Sequence, residues 1–403
     1  MLAHNYYGSA SPSGENRVCE QEESMLRQAG HEVTTHYVYS DHWISQGWLG
    51  VVKGALSIPW NPYAYRDLQA HIQAVRPDIL HVHNSFPFLS PSLFYAAKKQ
   101  GVATVFTLHN YRLVCASAML LRDGAPCHLC LDKQHTWPAL YHGCYRKSRL
   151  ASLPLVFSIQ MHHWLGTWRH KVDRFIALTT FQRHHMERSG IPANKLVVKP
   201  HFYPSPPDMT PWEKRHAEVV YIGRLSEEKG CLMLLHAWQI MGSSAPQLRL
   251  IGDGPMRTQL AAAVKDLGLA SRVTLQGACT FEEGQKWLAY AKLLVLPSLC
   301  YEGFPMVIRE AYALGVPVAV SKHGAMQSLV EDGHTGCLIT VGDPEAWSIK
   351  VMQMWRDSKR LEIMGRLARQ QFEGAYTQNI NYKQLMGIYQ QAMVQHGKDQ
   401  AIR

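Results

Sequence analysis

Short apolar runs alternate with longer amphipathic stretches along most of this chain. That is the pattern of a parallel sheet clad in helices. In the first half it predicts a helix over Glu15–Ala29 and a strand over His31–Tyr39. A strand over Asp78–His83 follows the Arg76-Pro77 break, and a helix over Pro91–Lys99 leads into a strand over Ala103–Leu108. Arg174–Leu178 is one more strand. In the second half, strands are predicted over Val219–Ile222, Leu248–Ile251, Val273–Leu275, Leu293–Leu296 and Val318–Val320. Helices are predicted over Glu227–Met241, Pro255–Leu267, Phe281–Ala291 and Met306–Leu314. Most of these later strands are nearly unbroken apolar runs, as suits strands buried on both faces. From Trp347 onward the pattern reads as three successive helices.

Between the halves, His201–Pro211 holds four prolines in eleven residues and can continue neither a helix nor a central strand. The organisation expected is α/β. A Rossmann-like domain at 1–203 carries an insertion at 111–150, and a linker spans 204–212. A second domain covers 213–375, and a last helix at 376–403 is expected to pack back on the first domain. Open parallel sheets bind ligands at the carboxyl ends of their strands, so two such domains facing each other would hold a ligand in a central cleft.

Composition narrows the class. The chain has 403 residues, 46% hydrophobic and 18% charged, which describes a globular protein of two ordinary domains. No apolar run approaches eighteen residues and no signal-peptide layout opens the chain, so a cytoplasmic protein is expected. Most of the nine cysteines sit singly in apolar or mixed contexts, as reduced core thiols do. The net charge of +10 is uneven. Residues 1–203 contribute +8, notably through Arg146, Lys147, Arg149, Arg169, Lys171 and Arg174, and residues 204–403 contribute +2. Such asymmetry points to an anionic partner surface, nucleic acid or lipid headgroups, or to a merely solvated basic face.

The chemistry concentrates in two segments. In Glu302-Gly-Phe-Pro-Met-Val-Ile-Arg-Glu310 a strand runs into a Gly/Pro loop that opens a helix. Glu302 and Glu310 stand a little over two helical turns apart, so both can address one ligand near the helix N-terminus. Unpaired N–H groups there suit a phosphate, and the carboxylates suit sugar hydroxyls. In Tyr221-Ile-Gly-Arg-Leu-Ser-Glu-Glu-Lys-Gly230, a strand ends at Gly223 and is followed by Arg224, whose fork of donors fits phosphate oxygens, and by Lys229, a compact charge. Ser226 is a candidate N-cap. Ile251-Gly-Asp-Gly-Pro255 reads as a tight strand-to-helix connection rather than a ligand contact.

Weaker signals lie elsewhere. Gly14, in Ser11-Pro-Ser-Gly-Glu-Asn16, would let a backbone approach a phosphate closely. His109 ends a strand and points toward the carboxyl edge, where it can bond a sugar hydroxyl or stabilise charge; His81 and His83 compete for that role. Cys115, Cys127, Cys130 and Cys144, spaced C-x11-C-x2-C-x13-C, suit a structural zinc, with His128, His135 and His142 as substitutes, or unliganded thiols. Leu153–Trp168 is apolar, aromatic and flanked by basic residues, so it is either an interfacial helix on a membrane or a helix packed into the first domain.

Taken together, "YIGRLSEEKG", "IGDGP", "LPSLCYEGFPMVIREAYALGVPVAVS" and "DGHTGCLITVGD" resemble the family 4 (group 1) retaining glycosyltransferases, which have the GT-B fold. The resemblance continues through "HNYYGSASPSGENRVCEQE", "PDILHVHN" and "TLHNYRLVC". It implies transfer of a sugar from a nucleotide-sugar donor to a glycan or lipid-linked acceptor in cell-surface polysaccharide biosynthesis, with no catalytic metal. Arg224 and Lys229 would hold the diphosphate, and Glu310 the ribose. Glu302 and the backbone of Gly303, Phe304, Pro305 and Met306 would meet the donor sugar and phosphate. Gly14 would approach the pyrophosphate, and His109 would support the transition state. Where the family opens on a full strand, only Met1-Leu-Ala precedes His4, so a shortened strand and a weakened sheet edge are expected; Ser13-Gly14 replaces the usual pair of glycines. A GT-B epimerase or phosphorylase, and a non-catalytic membrane-binding or nucleic-acid-binding protein, are the alternatives. The pairing of the two strong motifs argues against the first two, and no nucleic-acid-binding module supports the last.

Overall fold

The computed structural model describes residues 1–6, 14–40 and 47–401. The chain forms two compact units. The first comprises Met1–Leu120, His128–His201 and Asn381–Arg403; the second comprises Leu121–Cys127 and Phe202–Ile380.

The first unit is built on six parallel strands: β1 (Leu2–Tyr6), β2 (Thr35–Tyr39), β3 (Ile79–Asn84), β4 (Ala103–Thr107), β5 (Arg174–Ala177) and β6 (Leu196–Val198), in the order β2-β1-β3-β4-β5-β6. Against expectation, β1 is a full strand in the sheet interior, paired on both sides. Its polar sequence hides it from a hydrophobic pattern, yet all five residues are buried. His4 bonds Asn16 at 2.9 Å, and the Asn5 amide donates to Ser40 at 2.9 Å, so burial leaves these side chains partnered.

Helix α1 (Gly14–Gln28) packs on this sheet. Two helices between β2 and β3 were not anticipated: α2 (Gly47–Ser57) and Pro62–Val75. The latter starts where sequence rules allow, with Asn61 accepting from the Tyr63 and Ala64 amides and Pro62 in the first turn. Helix α3 (Arg149–Trp164) buries Ser152, Leu155, Val156 and Gln160 and exposes Leu150, Leu153, Phe157 and Trp164 on its other face.

The second unit repeats the architecture with β7 (Glu218–Ile222), β8 (Gln247–Ile251), β9 (Val273–Gly277), β10 (Leu293–Leu296), β11 (Val318–Ser321) and β12 (Gly336–Ile339), in the order β9-β8-β7-β10-β11-β12. The predicted helix Glu227–Met241 is broken. A 3-10 turn over Glu227–Lys229 precedes α4 (Cys231–Met241), because Gly230 takes a left-handed φ of 72°. A Cβ there would lie 2.1 Å from the Pro297 carbonyl oxygen, so only glycine lets the two loops meet. Helices α5 (Phe281–Tyr290) and α6 (Met306–Ala313) follow, α5 opening on a Thr280/Glu283 capping box. Three helices end the chain: Pro344–Arg356, Ser358–Ala375 and Gln378–Ala401. Most residues of the last belong to the first unit.

Within the second unit, Gly365 brings its helix against the turn after α6, where an added Cβ would fall 2.3 Å from the Gly315 oxygen. Gly365→Ala should therefore cost about 1–3 kcal/mol through forced separation of backbones. Urea unfolding followed on the second unit's tryptophans checks this.

Candidate active site

In the second sheet, the chain steps outward from β7 through β8 and β9, then returns to lay β10 on the other side of β7. All strands are parallel, so the loops leaving β7 and β10 part at their shared carboxyl edge and open a crevice there. The loop after β7 carries Gly223, Arg224 and Lys229; the loop after β10 carries Glu302. The two strong sequence motifs are thus brought to one switch point.

Lys229 Nζ donates to Glu302 Oε1 at 2.6 Å, and Ser298 Oγ donates to the same oxygen at 2.7 Å. His323 Nε2 bonds the Ser298 carbonyl at 2.8 Å, and the Leu299 amide donates to the Glu228 carbonyl at 2.8 Å. These contacts bind the two loops to each other beside Gly230. Burial works against charge on both partners, but the neighbouring ammonium holds the Glu302 carboxyl below its ordinary value, and the carboxylate raises Lys229. Both are ionised at neutral pH. Arg224 is exposed, and its carbonyl accepts from Tyr221 Oη at 2.8 Å, which fixes the backbone beneath a free-reaching guanidinium. Ser226 does not cap the following turn; its hydroxyl donates to Glu228 at 2.5 Å. Gly252 and Gly254 serve packing: an added Cβ would meet the Gly223 and Leu225 carbonyls at 2.0 and 2.3 Å.

Glu310 lies in α6 and is buried. Its Oε2 accepts from Gln285 Nε2 on α5 at 3.0 Å, and its Oε1 lies 3.7 Å from Arg309. Arg309 in turn bonds the Phe202 carbonyl. Gly303, Phe304, Pro305 and Met306 form the loop into α6, with Phe304 and Pro305 buried. Ser298, His323 and Gln285 had no role assigned from sequence. Ser298 adjoins the acidic motif and was within reach; Gln285 sits in an ordinary amphipathic helix and carries no local signal.

The first unit has its own switch point between β1 and β3. Ser11–Ser13 lie outside the described residues, and Gly14 is the first residue of α1. Next to it, Glu15 accepts from Asn84 at the end of β3 (3.3 Å) and from Asn110 beyond β4 (3.0 Å), and burial raises its pKa. His109 lies two residues past β4. Its Nε2 is 3.1 Å from His83 Nδ1, and its ring stacks on His201 at 5.2 Å. Burial, reinforced by His201, His83 and His4, holds its pKa well below the usual imidazole range, so the ring is neutral.

None of the nine cysteines forms a disulfide. Cys115, Cys130 and Cys144 belong to the first unit and Cys127 to the second. Cys130 and Cys144 pack against a core of Phe86, Ala116, Ala139, Leu155 and Val156, and Cys115 Sγ meets Ser117 Oγ at 3.2 Å. Among the described residues the quartet does not gather into a ligand cluster; the group with converging ligand atoms is Glu22, His81 and His83. No helix among the described residues is long and apolar enough to cross a membrane.

Residues 12–204 match the model of Glycosyltransferase Family 4, and residues 216–357 that of Glycosyl transferases group 1. The amylovoran biosynthesis glycosyltransferase AmsK of Erwinia amylovora is 26% identical over 75% of this chain and 74% of its own length. The putative colanic acid biosynthesis glycosyltransferase WcaL of Salmonella typhimurium is 25% identical over 54% of this chain and 56% of its own. The fold matches that of Anabaena HepE, solved in complex with UDP, with a TM-score of 0.66 at 16% identity over 96% of this chain and 99% of that one. It also matches sucrose-phosphate synthase of Thermosynechococcus elongatus, with a TM-score of 0.70 at 17% identity over 98% and 99%.

The depressed Glu302 pKa has a sign. Its contribution to stability is complete above the ordinary carboxylate value of 4.5 and is lost as pH falls through the lower folded value. Thermal unfolding between about pH 3 and 7 should show that loss in the native protein and a flatter profile in Glu302→Gln.

Proposed function

Because the chain belongs to the family 4, group 1 glycosyltransferases of GT-B fold, we propose that it moves a sugar from a nucleotide diphosphate sugar to a glycan or lipid-linked acceptor in cell-surface polysaccharide biosynthesis, with retention of anomeric configuration. The observation that carries this reading is the Lys229–Glu302 contact at 2.6 Å beside an exposed Arg224. One ammonium is fixed in place by a carboxylate and a second cation is left to reach outward. A departing diphosphate develops negative charge, and a preorganised pair of cations lowers its energy more in the transition state than in the ground state.

The other residues take complementary roles. Glu302 is ionised and anchored, so it serves as a hydrogen-bond acceptor for the donor sugar and not as an acid. Glu310, steadied by Gln285, accepts from the ribose hydroxyls. The Gly303–Met306 loop offers backbone at the start of α6 to sugar and phosphate. Gly14 opens α1 where backbone approaches the diphosphate, and His109 meets the donor sugar. The amylovoran and colanic acid relatives support polysaccharide biosynthesis as the setting.

A peripheral membrane contact fits the same reading. On α2, Trp48, Val52 and Leu56 recur at helical spacing and are exposed, Trp48 and Leu56 by 73% and 74%. The stripe on α3 adds Leu150, Leu153, Phe157 and Trp164. The two helices adjoin, with Ser158 Oγ donating to the Ile58 carbonyl at 3.3 Å. Lys53, Arg146, Lys147 and Arg149 are exposed around them. Apolar side chains ringed by cations suit the boundary of an anionic bilayer, where a lipid-linked acceptor would be found.

Arg224→Ala and Lys229→Ala should each lower kcat on the nucleotide sugar by about 10²–10³ while the fold persists, since each removes charge stabilisation of the leaving group. A panel of nucleotide sugars, scored for hydrolysis or transfer, identifies the donor first; near-normal turnover in both variants removes the diphosphate clamp. Sedimentation with vesicles containing phosphatidylglycerol should capture the protein at low salt and release it as salt rises, and Leu56→Glu with Leu150→Glu should abolish capture.

A further inference from the structure

The first unit holds a polar cluster of which only His109 has been given a role. His81 and His83 alternate along β3 onto one face, and their rings lie 4.4 Å apart. His83 stacks on His109 at 5.4 Å, and His109 on His201 at 5.2 Å. Under one end lies Glu22 of α1, with no exposed surface. Its Oε1 accepts from Lys199 Nζ at 2.6 Å, and Lys199 also donates to Asn381 at 3.0 Å. Its Oε2 lies 3.4 Å from His83 Nε2 and 3.7 Å from His81 Nδ1. Glutamate and two histidines have the composition of a metal site, and their ligand atoms fall within 4.8 Å of one another. The chemistry here is different. Lys199 already neutralises the carboxylate, and both nitrogens of His81 are engaged, by Tyr389 Oη at 2.9 Å and Thr107 Oγ1 at 2.8 Å.

We propose that Glu22 sets the tautomer of His83 and, through it, the tautomer of His109, so that His109 presents an unprotonated Nδ1 as a hydrogen-bond acceptor. Glu22 and His83 are then positioning residues. The argument follows the protons. A lone pair on His83 Nε2 would face an anionic oxygen across 3.4 Å, whereas an N–H there is attracted to it. A second buried cation on the ring would go unbalanced, because Lys199 already matches the carboxylate. A neutral His83 with its proton on Nε2 offers a lone pair at Nδ1. The hydrogen on the 3.1 Å line to His109 therefore belongs to His109 Nε2. Since His109 is neutral, its Nδ1 carries the remaining lone pair. Burial opposes charge on Glu22, but Lys199 and the hydrogen bond from His83 outweigh it and hold its pKa well below the usual range, so the carboxylate stays ionised.

The consequence for chemistry rests on the reading of His109 as a donor-sugar contact. It would accept a hydrogen bond from a sugar hydroxyl and donate no proton. The relay itself does not rest on that reading. Long-range proton–nitrogen NMR of the full-length, histidine-labelled protein, with His109 assigned through His109→Gln, should show a pyridine-like Nδ1 and a protonated Nε2. In Glu22→Gln the amide can donate to His83 Nε2, which reverses the chain of protons and moves the His109 proton to Nδ1. If the lone Lys199 charge unfolds that variant, Glu22→Gln with Lys199→Met removes both charges together. Turnover on the donor should fall by about tenfold in the variant, the worth of one hydrogen bond, while the Kd for UDP holds. A proton on His109 Nδ1 in the native protein, or a tautomer unchanged in the variant, overturns the relay. A tautomer that switches with turnover undiminished upholds the relay and overturns instead the assignment of His109 to the sugar.

Discussion

Parallel strands all end on one edge, and a sheet built outward from its middle must leave a gap where the direction of building reverses. Both units obey this constraint, with the reversal between β1 and β3 in the first and between β7 and β10 in the second. Gly14, His109, Arg224, Lys229 and Glu302 all lie on loops or first turns next to those edges, while Glu310 lies within α6. The loops themselves need little regular structure, because close backbone packing fixes them. Gly230 against the Pro297 carbonyl and Gly252 against the Gly223 carbonyl join neighbouring loops at distances no side chain permits. The crevice is a product of topology, and glycine at these joints keeps its walls in register.

Charge is handled differently in the two units. In the second, cations are kept near solvent: Lys229 is tethered by Glu302 and Arg224 reaches outward. In the first, the charged pair Glu22–Lys199 is sealed in the interior and His109 at the edge is a neutral imidazole. Burying an ion pair costs desolvation that its mutual attraction repays only with further hydrogen bonds, and Asn381 supplies one to Lys199. A charge-bearing edge suits a diphosphate, and a neutral, oriented edge suits hydroxyls.

How much of this the sequence discloses depends on how each element earns its stability. Strands β7, β10 and β11 are almost wholly buried and read as apolar runs, so their positions were legible. The Gly223–Gly230 and Glu302–Glu310 segments were legible as candidates because a Gly-containing loop feeding a helix leaves a local signature. Strand β1 was not, since His4 and Asn5 are buried through hydrogen bonds to Asn16 and Ser40 that lie at longer range. The helix predicted across Glu227–Met241 failed at Gly230 because its left-handed backbone answers to Pro297, far along the chain. The cysteine spacing was legible as a pattern, but three of the sulfurs are placed by apolar packing and local contacts and do not converge.

Glu22 shows where such limits matter for chemistry. In sequence it is one of several glutamates on an amphipathic helix, and only its spacing from Val18, Met25 and Leu26 sets it on the apolar stripe. Glu20 and Glu23 are exposed or half-buried, and Glu22 alone turns fully inward. A fully buried carboxylate persists only if something compensates its charge, and Lys199 does so from the far end of the sheet domain. Once one oxygen is satisfied by that lysine, the other is left facing the histidines. The direction of the protons from His83 to His109 then follows from electrostatics, and His109 acquires a defined polarity without carrying a charge.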